Sequence, residues 1–195
     1  LQLPGFDRLR IFVNPIVAFV LWAANLYLWH LTLFHEAAVR NELIHIVQHA
    51  AFVFFGINVW MALLGPLPKP LWFGTAAQFG YIVAVRLTGA VLGNVLIFGE
   101  VFYRVYDPGR ADWNVGGASD QAMAGGLMML EGSVLTICLL AWLFLKAAKQ
   151  TDERQELVEF ARGQGVELTD SRAARAVAAG RGDELRERIL TGSFS

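Results

Sequence analysis

The chain has 195 residues, 55% of them apolar and 17% charged, with a formal net charge of −1. Fourteen Phe and six Trp accompany long uncharged stretches, which fits helices packed against lipid better than a soluble core of this size. No nucleophile arrangement, phosphate loop or nucleic-acid surface is present, so hydrolase and DNA-binding readings lack support.

A hydrocarbon core of about 30 Å takes roughly 20 helical residues to cross. Four stretches meet that length, and the expected fold is an all-α polytopic bundle with spans at about residues 11–31, 41–64, 71–102 and 119–147. The first residue is Leu rather than Met, so the sequence reads as a fragment or a processed form, and whether further helices precede it is left open. Arg8 and Arg10 precede the first span, Lys69 sits in the turn Gly65-Pro66-Leu67-Pro68-Lys69-Pro70, and Lys146 and Lys149 follow the fourth. Cationic residues near span ends mark the cytoplasmic side, which sets a multi-pass plasma-membrane topology with a cytoplasmic C-terminal tail. The opposite, outer side receives a short loop at Leu33 to Asn41 and a second at Tyr103 to Ser119. Trp29, Tyr103, Tyr106 and Trp113 are expected at the outer interface, and Trp72 and Trp142 at the inner one. Ser119 or Asp120 is placed to cap the fourth helix.

The expected division is a bundle over residues 1–148 and a soluble charged tail over 149–195, which holds eight basic and nine acidic side chains. The tail reads as short helices at 152–162, 170–179 and 183–190, divided by Gly163-Gln164-Gly165 and Gly180-Arg181-Gly182. Leu157, Phe160 and Ala161 share a face suited to docking on the bundle or on a partner. Cys138 has no second cysteine to pair with and reads as a packing residue.

All four histidines, His30, His35, His45 and His49, fall within 20 residues toward the outer side. His45 and His49 are four apart and project from one helix face, the spacing that lets two imidazoles reach one metal. A short connection makes the outer ends of the first two spans neighbours, so His30 can join them. A histidine in a membrane helix also serves simply to hydrogen-bond a neighbouring helix. Asp120 and Met123, three apart at the start of the fourth span, offer complementary ligands; imidazole with thioether suits copper. Arg86 and Glu131 both lie near mid-bilayer and are expected to form a buried ion pair. Gly89 with Gly93, and Gly125 with Gly126, suit close helix contact.

The order of these motifs resembles a known family. Trp29-His30-Leu31, the run Arg40-Asn41-Glu42-Leu43-Ile44-His45-Ile46-Val47-Gln48-His49, Leu64-Gly65-Pro66-Leu67-Pro68, Leu92-Gly93-Asn94-Val95-Leu96, and Ser119-Asp120-Gln121 followed by Ala124-Gly125 and Met128 are similar to the CtaG family of caa-type cytochrome c oxidase assembly factors. The resemblance covers about residues 29–145 and implies a role in oxidase maturation without turnover of its own. It further implies copper as cargo, His30, His45 and His49 as ligands with Asp120 nearby, and oxidase subunits or other membrane copper proteins as partners, with a homo-oligomer also open. Family members have more spans than these four. The alternatives are a haem protein, with His30 paired to His45 or His49 across helices, and a copper or proton transporter drawing on Arg86 and Glu131.

Overall fold

The computed structural model describes residues 14–66 and 69–193. Arg8, Arg10, residues 11–13 of the first expected span, and Leu67 and Pro68 of the turn lie outside the described residues.

Among the described residues the regular structure is entirely helical. Helix α1 (Pro15–His30) starts where the Asn14 side chain accepts the Ile16 N–H at 3.0 Å and proline occupies the first helical position. It ends at Leu31, whose extended backbone turns the chain by 69° into α2 (Thr32–Arg40). The loop expected at Leu33 to Asn41 is therefore a helix. Its residues are mostly helix formers and Glu36 pairs with Arg40 one turn on, at 3.0 Å. Asn41 then caps α3 (Glu42–Leu64), accepting the Leu43 and Ile44 N–H groups at 3.0 and 3.2 Å. Helix α4 spans Thr75–Phe98.

The second connection is also partly ordered, with a 3₁₀ turn at Arg104–Tyr106 and a short α5 (Asp107–Asp112). Helix α6 runs from Gly117 to Gly163. Three helices, α3, α4 and α6, are long and apolar enough to cross a bilayer, and α1 with α2 makes a fourth if the bent pair is one span. Large apolar side chains such as Ile57, Leu127, Ile137 and Phe144 face outward, an arrangement suited to lipid and costly in water.

The chain divides into two compact units, residues 1–139 and 140–195, with the boundary inside α6. The tail helix expected to start at 152 has no break before it. Residues 146–153 contain neither Gly nor Pro, and Lys149 lies 3.7 Å from Glu153 one turn on. In the second unit, Leu157 and Ala161 join Leu168, Ala173, Val177, Leu185 and Ile189 in a core built with α7 (Asp170–Ala178) and α8 (Gly182–Leu190), and Phe160 packs against it. The apolar face expected to dock elsewhere is thus used inside this unit.

In the first unit the expected Arg86–Glu131 ion pair is absent among the described residues. Arg86 donates to Ser133 Oγ at 3.0 Å and lies 3.8 and 3.9 Å from the Met129 sulfur, while Glu131 is exposed. Met129 and Ser133 are four apart and share a face; Glu131, midway between them, points to the opposite side of α6. The small-residue contact is also narrower than expected. Gly93 and Gly125 form it, whereas Gly89 and Gly126 border open space.

Candidate functional site

The first unit gathers its polar side chains where α1 ends and α3 and α6 begin. His30, the last residue of α1, donates from Nδ1 to the Leu26 carbonyl at 2.7 Å. A carbonyl can only accept, so the neutral ring carries its proton on Nδ1 and keeps a lone pair on Nε2. The ring packs edge-on to Phe52 of α3 at 6.1 Å and lies 6.3 Å from the His35 ring. His30 therefore meets α3 three residues beyond His49, and its imidazole neighbour is His35.

The bend at Leu31 makes that neighbour available. By folding back as α2, the chain stacks His35 on the Tyr103 ring at 4.1 Å and sets its Nε2 3.0 Å from the Tyr106 hydroxyl. Tyr103 is buried and donates its phenol to the His30 carbonyl at 2.8 Å. Trp29 is likewise buried, with Nε1 donating to Asn25 Oδ1 at 3.1 Å. Both aromatics satisfy their polar atoms inside the protein.

Arg110 of α5 closes this end. It is 8% exposed, yet its guanidinium reaches Asp120 at 2.9 Å, Asp107 at 3.0 Å and the Tyr103 carbonyl at 3.0 Å, and lies over the Tyr106 ring. Gln121 completes the clasp. Its Oε1 accepts the Phe102 N–H at 2.8 Å and its Nε2 donates to the Leu96 and Glu100 carbonyls at 3.1 and 2.8 Å, tying the end of α4 and the following segment to α6. Burial, with Tyr106 beside it, pushes the Tyr103 phenol up to about 12. A raised phenol favours the neutral, donating form in the fold. The bond to His30 should hold fully below pH about 10 and be lost as pH rises toward the folded value. Tyrosinate absorbance in a pH titration checks this: the step near pH 12 should lose the amplitude of one phenol in Tyr103→Phe, and an unchanged titration would refute it.

A cavity of about 310 Å³ lies behind these groups, lined by His30, His35, Tyr103, Tyr106, Arg110, Asp120, Gln121, Leu96, Ala124 and Met128. Of the expected ligands, His30 and Asp120 reach it, but the Asp120 carboxylate is held by Arg110. Met123 is exposed and does not line it; the thioether that does belongs to Met128, two turns on from Asp120. His45 and His49 meet each other elsewhere, on the exposed side of α3, with Nε2 atoms 2.8 Å apart and rings 4.6 Å apart. One Nε2 must donate and the other accept, so a single proton lies between the two rings. Among the described residues no group of three or more His, Cys, Asp or Glu side chains is placed to hold one metal ion. The three imidazoles of His30, His45 and His49 thus do not converge; they stand as a His45–His49 pair and a His30–His35 pair.

The donor chemistry of the first pair fits a soft or borderline ion of low coordination number. Two metal–nitrogen bonds of about 2 Å need the nitrogens to part beyond hydrogen-bonding distance, which exposed side chains allow. Sequence reasoning gave no site role to Arg110 or Gln121, and it named His35 and Tyr103 without the contact between them. The signal nearest to them was the motif Ser119-Asp120-Gln121: Asp120 engages Arg110, and Gln121 ties the end of α4 to α6.

Apolar helices of spanning length, with polar and imidazole groups gathered at helix ends, define an all-α membrane protein with an internal clasp and an exposed histidine pair. The family model for the cytochrome c oxidase caa3 assembly factor (Caa3_CtaG) matches residues 3–150, and the chain belongs to that family. No curated protein and no solved structure matches it.

Proposed function

We propose that this protein serves oxidase maturation by holding copper as cargo on the His45–His49 pair and passing it to a membrane-embedded oxidase subunit. Membership of an assembly-factor family supports the maturation role and a part without turnover. The observation that carries the copper reading is the 2.8 Å apposition of two Nε2 atoms on an exposed helix face, with no other hydrogen bond to either ring among the described residues. An imidazole-seeking ion takes both Nε2 lone pairs once the donating ring carries its proton on Nδ1 instead, so both rings stay neutral. Two protein donors leave coordination positions open, so a partner's ligands can enter before the first pair lets go, which is what delivery requires. His30, with its free Nε2, and Met128 are the donors of the adjoining cavity; Asp120 would have to release Arg110 to join them, and Met123 has no part in the reading.

The reading places the protein in the plasma membrane, with residues 149–195 on the cytoplasmic side and the histidines toward the outer face. The cationic residues at 69, 146 and 149 support that orientation. Metal analysis of the protein loaded with cuprous ion and washed tests the site. His45→Ala with His49→Ala should retain background copper while helical circular dichroism is unchanged. Copper retention equal to the parent protein would rule the pair out, and a Soret band in the purified protein would turn the reading to haem.

A further inference from the structure

The unit formed by residues 140–195 separates its charges by sign. One cavity of about 380 Å³ is lined by Glu153, Glu156 and Asp183 with a lone cation, Arg186. Another, of about 240 Å³, is lined by Arg172, Arg175, Arg181 and Arg188 with Glu184 as the single carboxylate among the described lining residues. Half of the eight basic side chains of residues 149–195 thus converge on one concavity of a unit whose sequence is otherwise balanced in charge.

Local structure explains the convergence. Ala173 and Val177 turn one face of α7 into the core, which leaves Arg172 and Arg175, three apart, on the face beside it. After α7 the chain reverses at Gly180, whose φ of +67° is a left-handed conformation open to glycine; Arg181 N–H bonds back to the Ala176 carbonyl at 2.8 Å, closing the turn. That reversal brings Arg181 and, two turns along α8, Arg188 to the same concavity. Glu184 is engaged by Arg188 at 2.5 Å. Arg175 and Arg181 are exposed and have no ion pair among the described residues, so at least two guanidinium forks face the cavity without an anion.

We propose that this cavity binds a phosphate-bearing anion, a function separate from the handling of copper. Guanidinium forks match phosphate oxygens in pairs, and a phosphate group offers enough acceptors to serve several forks at once, which a single carboxylate does not. Two sources share that chemistry: the headgroup of an anionic phospholipid and a soluble phosphate compound. The same unit begins with Trp142 and Lys146, stacked at 5.0 Å, a pairing of the kind found at membrane interfaces, so a headgroup is a natural ligand.

The full chain in phosphatidylcholine nanodiscs supports the test, read by amide hydrogen exchange over residues 172–190. Phosphatidylglycerol added to the bilayer, or inorganic phosphate added to the buffer, should slow exchange there; the arm that responds identifies the source. Arg175→Gln with Arg181→Gln should weaken that response about tenfold or more, with exchange of the Leu157–Ala161 stretch unchanged. Arg175→Lys with Arg181→Lys, which keeps the charge and loses the forks, should fall between the two and serves if the first variant unfolds. No protection in either arm, equal protection by sodium chloride at matched ionic strength, or an undiminished response in the variants would overturn the proposal.

Discussion

Gln121→Leu should destabilise the membrane unit by about 3 kcal/mol, because three backbone groups lose their partner at once while the side-chain volume hardly changes. Each orphaned group costs about 1–3 kcal/mol where water does not replace the bond. Gln121 is itself 3% exposed, but Glu100 is exposed and regains part of its loss from solvent, which places the sum near the lower end. The effect should reach beyond stability. Phe102 precedes Tyr103, and Tyr103 holds the His30 carbonyl and stacks on His35, so release of Phe102 should loosen the cavity as well. Denaturant unfolding in mild detergent measures the first effect, and hydrogen exchange of residues 99–106 the second. A loss below about 1 kcal/mol, within the range of one ordinary hydrogen bond, would show that Gln121 is not the tie that its geometry indicates.

The family and the helical membrane fold could be read from the sequence, because both rest on features that survive without tertiary detail: length of apolar runs, and motifs such as Asn41-Glu42 ahead of His45 and His49. The pairing of those two histidines followed from helical spacing alone. What could not be read depends on which way a helix turns and where the chain bends. Residue 31 gives no sign of a 69° break, since Leu31 is an ordinary helix former, yet the break decides that His35 rather than His45 or His49 joins His30. The placement of Met123 was of the same kind. Met123 and Met128 lie to either side of Asp120 around α6, and the seating of α6 against α4 sends Met128 inward and leaves Met123 outside. The Arg86–Glu131 expectation failed through depth without direction: two groups at the same level of the bilayer need not face each other, and Arg86 found Ser133 and a thioether instead.

That seating of α6 on α4 includes one close backbone approach, and Gly125→Ala should show it. An added Cβ at Gly125 would stand 2.7 Å from the Gly93 carbonyl oxygen, 2.9 Å from Ile97 Cγ1 and 3.0 Å from Leu96 Cβ. Two of these atoms belong to backbone or to the base of a side chain and cannot swing aside, so the helices must separate, at a cost of about 2–3 kcal/mol. The same methyl at Gly126 meets nothing within 4 Å. There the change should be neutral or stabilising by about 0.5–1 kcal/mol, the ordinary gain of alanine over glycine inside a helix. Gly93→Ala should fall between them. Its Cβ would press on the Met129 Cγ and sulfur at 2.9 and 3.0 Å, a flexible chain that can yield, though in yielding it leaves Arg86 and Asn94 with fewer contacts. Within lipid no hydrophobic force drives two apolar helices together, so close backbone contact of this kind sets the pairing. Thermal unfolding of the three variants in one detergent orders them; equal behaviour of Gly125→Ala and Gly126→Ala would mean that α4 and α6 do not cross at Gly93 and Gly125.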